Sequence, residues 1–345
     1  MNLKSEGNQQ MKLLVYSAKK FEIPFLKEAN KGNFRVTYTE EALDSSTAIK
    51  AASYKAISIF SGDDASTLVL EKLWELGVRY ISIRSAGYNN IRMKTAKRLG
   101  FQVANAPDYS PYAIAEHATA LLLALNRKII LADKQVHTYN FLQDDLMGFD
   151  LHGKTVGIIG TGRIGSIMVK IMHGFGCNIL ANDLSPDNDL VELCNVTYTT
   201  VDELCRKSDI ISLHIPLTYE NYSFINKKKL DLMKPGVLLI NTARGSVVDT
   251  SELIKALEAG KIGGYCADVY QREKGIFFRD NSKTGIADEE LKTLISMDNV
   301  LLTPHQGFVT KEALTNIAKT TFYNLDCWAK GKVSENELGL ELLVS

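Results

Sequence analysis

From Lys12 onward the chain alternates short apolar runs, rich in β-formers, with longer stretches of helical periodicity. KLLVYS (12–17), FRVTYT (34–39), AISIF (56–60), RYISIRS (79–85) and FQVANAP (101–107) read as strands. DASTLVLEKLWELG (64–77) reads as a helix, with Leu68, Leu70, Leu73, Trp74 and Leu76 apolar, Asp64 as a cap and Gly77 as its stop. A further helix ends at Gly100. Ser110-Pro111 opens a long helix, because serine caps well and proline suits the first helical position. Its run AIAEHATALLLALNRK is apolar on most sides, which places it between layers or domains.

A second alternating series follows. Its strands are KTVGIIG (154–160), NILAND (178–183), DIISLHI (209–215), VLLINT (237–242), GGYCADVY (263–270) and NVLLTP (299–304). Strands alternating with helices predict α/β architecture with parallel sheets and crossover helices. A chain of 345 residues is long enough for two such domains.

Composition narrows the function. Hydrophobic residues make up 45% of the chain and charged residues 23%, as in ordinary globular proteins, and the formal net charge is zero. Nothing therefore points to a polyanionic partner. The run Lys227-Lys228-Lys229 lacks the aromatic interleaving of a base-stacking surface and reads as a solvated helix start. No nucleic-acid partner is expected. The five cysteines, Cys177, Cys194, Cys205, Cys266 and Cys327, are widely spaced with no CxxC, so reduced thiols in a cytoplasmic protein are expected, without disulfides or zinc. The N-terminal MNLKSEGNQQ has no apolar core and reads as a polar lead-in, not a secretory signal. The most apolar stretch, 118–125, is too short to span a bilayer, so no membrane association is expected.

The strongest local motif is Gly160-Thr161-Gly162-Arg163-Ile164-Gly165. It directly follows the apolar strand VGII and directly precedes a helical run, the context a dinucleotide fingerprint requires. Gly160 serves the tight turn, Gly162 the approach of a pyrophosphate, and Gly165 close helix–strand packing. The helix start offers free N–H groups to phosphates, with Arg163 and Ile164 in its first turn. Asp183 ends the next strand. A carboxylate there accepts hydrogen bonds from the adenosine ribose and repels a 2′-phosphate, so NAD is expected over NADP.

Ligands of parallel α/β sheets sit at the carboxyl ends of the strands. Arg244, Glu273 and His305 each lie just past a predicted strand of the second series. The types fit reduction of a 2-keto acid. A histidine donates a proton near neutral pH, a guanidinium fork grips a carboxylate, and a carboxylate beside the histidine favours its protonated form.

On these segments the chain resembles the D-2-hydroxyacid dehydrogenase family over essentially its whole length. The carrying motifs are GIIGTGRIG (157–165), INTARGSVVD (240–249), DVYQREKG (268–275) and LLTPHQGF (301–308). The resemblance implies Arg244, Glu273 and His305 as catalytic residues. It implies Thr242, Ala243 and Asp268 as cofactor contacts, Asp268 near the nicotinamide carboxamide. HIPLT (214–218), with His214 and Pro216, would line the cofactor cleft. Within the family the likeness is greatest to the fermentative members that convert pyruvate to D-lactate. ISIRSAGYNN (81–90) resembles their substrate-carboxylate loop, with backbone N–H groups near Ala86 and Gly87, and Tyr109 and Phe308 match the substrate pocket. Asp108 stands where the family pattern has a small residue, and Gln271 replaces a common acidic one.

The resemblance also implies the layout: two Rossmann/flavodoxin-like parallel-sheet domains, with a cofactor domain (108–306) inserted into a substrate domain (1–107 and 307–345). The D stereochemistry rests on the resemblance alone. Two other readings stay open: a dehydrogenase for a bulkier acid such as hydroxyisocaproate or phenyllactate, and a non-enzymatic NAD sensor on the same fold. A homodimer or homotetramer is expected, with the apolar helix after Ser110 at an interface. His117 and His173, inside apolar helices, read as packing or hydrogen-bonded positions, and no metal motif occurs.

Overall fold

The computed structural model describes residues 10–339, so nearly all of the polar lead-in lies outside the described residues. The chain divides into two compact units, one of residues 10–110 with 309–339, the other Pro111–Phe308. The divisions fall at 110/111 and 308/309, against the expected 107/108 and 306/307. Pro111 begins a helix, and the Asn316 side-chain amide donates to the Tyr109 carbonyl at 2.9 Å, tying the end of the first segment to the returning chain.

The first unit holds β1 (Lys12–Val15), β2 (Arg35–Tyr38), β3 (Ala56–Ile59), β4 (Tyr80–Ile83) and β5 (Gln102–Ala104), paired in parallel in the order β2-β1-β3-β4-β5. That is the flavodoxin-like order. β3 is buried at all four positions, because crossover helices cover both faces of a parallel sheet. The helix expected over 64–77 spans Thr67–Glu75. Its cap position is Ser66 and not Asp64, whose carboxylate accepts the Ser66 N–H in a local turn instead. Gly77 sits at φ +91°, the left-handed stop glycine tolerates best.

One buried ion pair braces this sheet from within. Arg84, at the end of β4, is fully buried, and its guanidinium donates to both oxygens of buried Glu22 at 3.1 Å, to the Tyr16 carbonyl at 2.7 Å and to Ser58 Oγ at 3.1 Å. The ends of β1, β3 and β4 are thereby joined directly beneath the loop that carries Ala86 and Gly87.

The second unit holds β6 (Thr155–Ile159), β7 (Asn178–Asn182), β8 (Thr197–Tyr198), β9 (Ile210–Leu213), β10 (Val237–Asn241), β11 (Ile262–Ala267) and β12 (Val300–Leu302). All pair in parallel, in the order β12-β11-β10-β9-β6-β7-β8. Counted from β6 outward this is the Rossmann order with one strand added, and the order reverses between β6 and β9. The two-residue β8 was not expected. It is too short for a periodic signal. Within this unit the Pro111–Asn126 helix packs Ala115, Ala118, Leu121, Leu122 and Leu125 into the core.

Removing one partner of the Arg84–Glu22 pair strands a buried charge, so Glu22→Ala is expected to lower unfolding free energy by about 3–5 kcal/mol. Both tryptophans, Trp74 and Trp328, belong to this first unit, so urea unfolding followed by tryptophan fluorescence reports it selectively. A shift under 1 kcal/mol, roughly the worth of a surface ion pair, would refute the bracing role.

Candidate active site

Every site residue expected in the second series lies at the carboxyl edge of the seven-stranded sheet. Because neighbouring strands lie about 4.8 Å apart, their order sets the order of the site. Asp183 follows β7, Gly160 follows β6, His214 follows β9, Thr242 to Arg244 follow β10, Asp268 and Glu273 follow β11, and His305 follows β12. The fingerprint therefore lies at the reversal point, and the three titratable candidates come from adjacent strands at one end.

The fingerprint turn is sterically determined. Gly160 has φ +91°, and a Cβ on it would meet the His214 carbonyl oxygen at 2.6 Å. A Cβ on Gly165 would lie 1.8 Å from the Gly160 carbonyl oxygen, an impossible contact, whereas one on Gly162 would meet nothing within 4 Å. Gly162 thus borders open space at the start of the Arg163–Gly174 helix, as a residue must where a ligand approaches the backbone. Arg163 is exposed and Ile164 packs partly against the core. Asp183 accepts the Thr161 N–H at 2.6 Å and the Ser185 N–H at 2.9 Å, which fixes the carboxylate beside the turn.

Thr242 is buried, yet its hydroxyl oxygen has no hydrogen-bond partner. A buried orphan hydroxyl is unfavourable by itself, and a polar ligand atom or a water would complete its bonding. Ala243 N–H donates to Asn241 Oδ1 at 3.1 Å, and Pro216 is exposed in a loop closed by Asn221. The His214 ring nitrogen bonds Ser212 Oγ at 2.8 Å, and burial pushes the imidazole down to about 4, so it is neutral at pH 7.

At the other end, His305 Nδ1 lies 2.8 Å from Glu273 Oε2. Glu273 is itself held, because its Oε1 accepts the Tyr270 N–H at 2.9 Å. With Nδ1 donating to the carboxylate, Nε2 is left for another partner. His305 has φ +57°, uncommon for any side chain, and this turn is fastened by Asp268. The Asp268 carboxylate accepts Thr303 Oγ1–H at 2.6 Å, Gln306 N–H at 2.8 Å and Gly307 N–H at 2.7 Å, with His117 Nε2 at 3.3 Å. His117 also bonds Thr303 Oγ1 at 2.9 Å. Burial acts to raise the Asp268 pKa, but these hydrogen bonds outweigh it and hold the group below its ordinary value. Residues 303–307 are therefore shaped by a carboxylate from the neighbouring strand, a function of His117 and Thr303 that no motif announced.

Arg244 follows in extended backbone, and its Nη1 donates to the Ala243 carbonyl at 2.6 Å. Gly245 lets this segment lie against the β11 exit: a Cβ there would meet the Tyr270 carbonyl carbon at 2.0 Å. Gln271 Oε1 accepts from Thr250 Oγ1 at 3.1 Å, a bond that an amide oxygen serves as well as a carboxylate would. Phe308 is buried and edge-on to His305. Ala86, Gly87 and Tyr109 belong to the other unit. There the Ala86 carbonyl accepts from Asn105 Nδ2 at 2.7 Å and the Gly87 carbonyl from Ser85 Oγ at 2.7 Å. Asp108 is exposed beside Tyr109. Of the helical histidines, His117 is hydrogen-bonded, but His173 lies exposed on the last turn of its helix and packs into no core.

Residues 119–307 match the family model described as D-isomer specific 2-hydroxyacid dehydrogenase, NAD binding domain. The chain belongs to that family. It is 43% identical to the D-lactate dehydrogenase of Escherichia coli, over 95% of this chain and all of that one. The structure of the pyruvate reductase of Chlamydomonas reinhardtii superposes with TM-score 0.89, with 36% identity over 95% of this chain and 98% of that one. The Aquifex aeolicus D-lactate dehydrogenase, solved with NAD and lactic acid, superposes at 0.85, with 33% identity over 94% and 98% of the two chains. NAD is thus the cofactor of this dehydrogenase, and the residues fit it: open space at Gly162, an orphan hydroxyl at Thr242 and a fixed carboxylate at Asp183. Among the described residues no cluster could hold a metal ion, and no helix is long and apolar enough to cross a membrane.

Because the Asp268 pKa lies below its unfolded value near 3.8, the group contributes stability above that pH and loses it as pH falls through the folded value. Asp268→Asn is expected to lower stability at pH 7 and to flatten the loss below about pH 4. Urea midpoints measured by far-UV circular dichroism across pH 2–7 would check this. Parallel curves for the two proteins would show that the carboxylate carries no such linkage.

Proposed function

We propose that this dehydrogenase reduces pyruvate to D-lactate with NADH, reversibly, and that the His305–Glu273 pair beside Arg244 performs the proton chemistry. The 2.8 Å contact between His305 Nδ1 and Glu273 Oε2 carries the reading, because it fixes the ring and leaves Nε2 as the proton donor. Bound NADH supplies the hydride. His305 Nε2–H gives its proton to the ketone oxygen as the carbonyl carbon becomes tetrahedral. Glu273 orients the ring and balances its charge while it carries both protons, and solvent replaces the donated proton after the step. Arg244 releases its bond to the Ala243 carbonyl and takes the substrate carboxylate in a two-pronged grip that also polarises the ketone. Gly160, Gly162, Arg163, Ile164, Gly165, Asp183, His214, Pro216, Thr242 and Ala243 hold the cofactor along the same edge. Asp268 positions the His305 turn. In this reading residues 10–110 with 309–339 form the substrate domain.

The test follows NADH consumption with pyruvate, 2-ketoisocaproate and phenylpyruvate, identifies the product with D- and L-specific coupling enzymes, and repeats the best reaction with NADPH. Pyruvate, D-lactate and NADH are the expected preferences. His305→Ala is expected to lower kcat by about 10²–10⁴, and Arg244→Lys to raise KM as well as lower kcat. Tight NADH binding without turnover of any acid would favour an NAD sensor instead.

We further propose a cytoplasmic, fermentative role, which free Cys177, Cys194, Cys205, Cys266 and Cys327 suit, and a homodimer or homotetramer. The apolar helix after Ser110 packs inside its own unit, so the expected interface moves to the segment that follows it. Ile129, Tyr139, Phe141, Leu142 and Met147 are all more than half exposed there, a density of apolar surface unusual for a monomer. Light scattering at micromolar concentration is expected to give a dimer or tetramer, and Phe141→Asp with Leu142→Asp to give the monomer. A monomeric wild type would overturn the assembly.

A further inference from the structure

The His305 imidazole lies against two phenyl rings. Phe308 stands edge-on, centroids 6.5 Å apart and planes at 77°. Phe278 lies closer, at 5.6 Å and 43°, and comes from the excursion between β11 and β12.

This excursion is built to deliver that ring. The Arg272 guanidinium is anchored on Asp288 at 2.7 Å, and Tyr270 Oη donates to the same carboxylate at 2.9 Å. The Glu273 carbonyl accepts the N–H groups of Ile276 and Phe277, both at 2.9 Å. Asn281 Nδ2 closes the turn on the Ile276 carbonyl at 2.8 Å. Phe277 then stacks on Tyr270, centroids 6.5 Å apart and planes at 24°, and joins the unit's core. The next residue takes φ +62°, a left-handed backbone that bulky side chains rarely adopt. That conformation sends the second ring away from Tyr270 and onto His305. A strained aromatic residue kept against a proton donor needs a reason, and hydrophobic packing alone would be served by an unstrained one.

We propose that Phe278 is a specificity-determining residue, the wall that confines the side chain of the 2-keto acid to a small group. The inference rests on the proposed function. Glu273 occupies Nδ1, so the substrate oxygen must meet Nε2, at about 2.6–3.2 Å. A ring in contact with the same imidazole then borders the space beside the ketone carbon. A methyl group fits such a space, and a branched or aromatic substituent collides with the wall.

Phe278→Gly removes the ring while accepting the left-handed backbone freely, and Phe278→Asn does the same with a side chain present. In both, the ratio of kcat/KM for 2-ketoisocaproate to that for pyruvate is expected to rise about tenfold or more. An unchanged ratio in both variants would overturn the proposal, even if absolute rates fall. A second readout needs no turnover: calorimetric titration of the NADH complex with oxamate and with N-propyl oxamate. Wild type is expected to favour oxamate strongly and the variants to lose that preference. The same preference in all three proteins would overturn the role of Phe278. A wild type that reduces no keto acid would overturn the proposed function, while the titrations still decide the role of the ring.

Discussion

Parallel pairing of seven strands is the constraint on which the rest of this protein depends. In a parallel sheet every strand ends at the same edge, so residues far apart in the chain arrive side by side if each follows its strand directly. Arg244 and His305 do so from β10 and β12, the glycine turn and Asp183 do so from β6 and β7, and Glu273 lies in the excursion that leaves β11. The pairing holds because the strands are apolar on both faces, and β9 and β10 are buried at every position. No motif would be a site without that common edge.

Glycine and carboxylate play opposite parts at this edge. Gly160, Gly165 and Gly245 act by lacking a side chain, since a Cβ at each would strike backbone within 2.6 Å. Asp268 and Glu273 act by accepting backbone N–H groups. Asp268 takes those of Gln306 and Gly307, and Glu273 takes that of Tyr270. The first device lets segments approach, and the second fixes them once there. His305 is held in an uncommon backbone conformation by the second, so the orientation of its imidazole is set by its neighbours on β11 and by His117. The first unit uses a related device, with Arg84 and Glu22 tying strand ends through a buried pair.

What the sequence determined was whatever depends on local chemistry. Apolar runs separated by helical periods established parallel α/β architecture, and every expected strand has an observed counterpart within a few residues. GTGRIG stood out because its strand–turn–helix context is contiguous in the chain, and Asp183, Arg244, Glu273 and His305 could be singled out because each was read just past a strand. The errors were those of neighbourhood. Asp64 has the chemistry of a cap but sits two residues too early, and His173 occupies an apolar stretch yet faces out. The apolar helix after Ser110, read as buried between layers, does cover the core of the seven-stranded unit.

Tertiary structure alone decided what lies across strands. That His117 and Thr303 share the Asp268 carboxylate depends on a helix and two strands whose members are up to 186 residues apart. The ring of Phe278 against His305 depends on a left-handed residue inside an irregular excursion, where no period exists to read. Periodicity reports which face of an element is buried, and motifs report chemistry held within a few residues. Neither carries the distance between two side chains whose elements meet only after the sheet has formed.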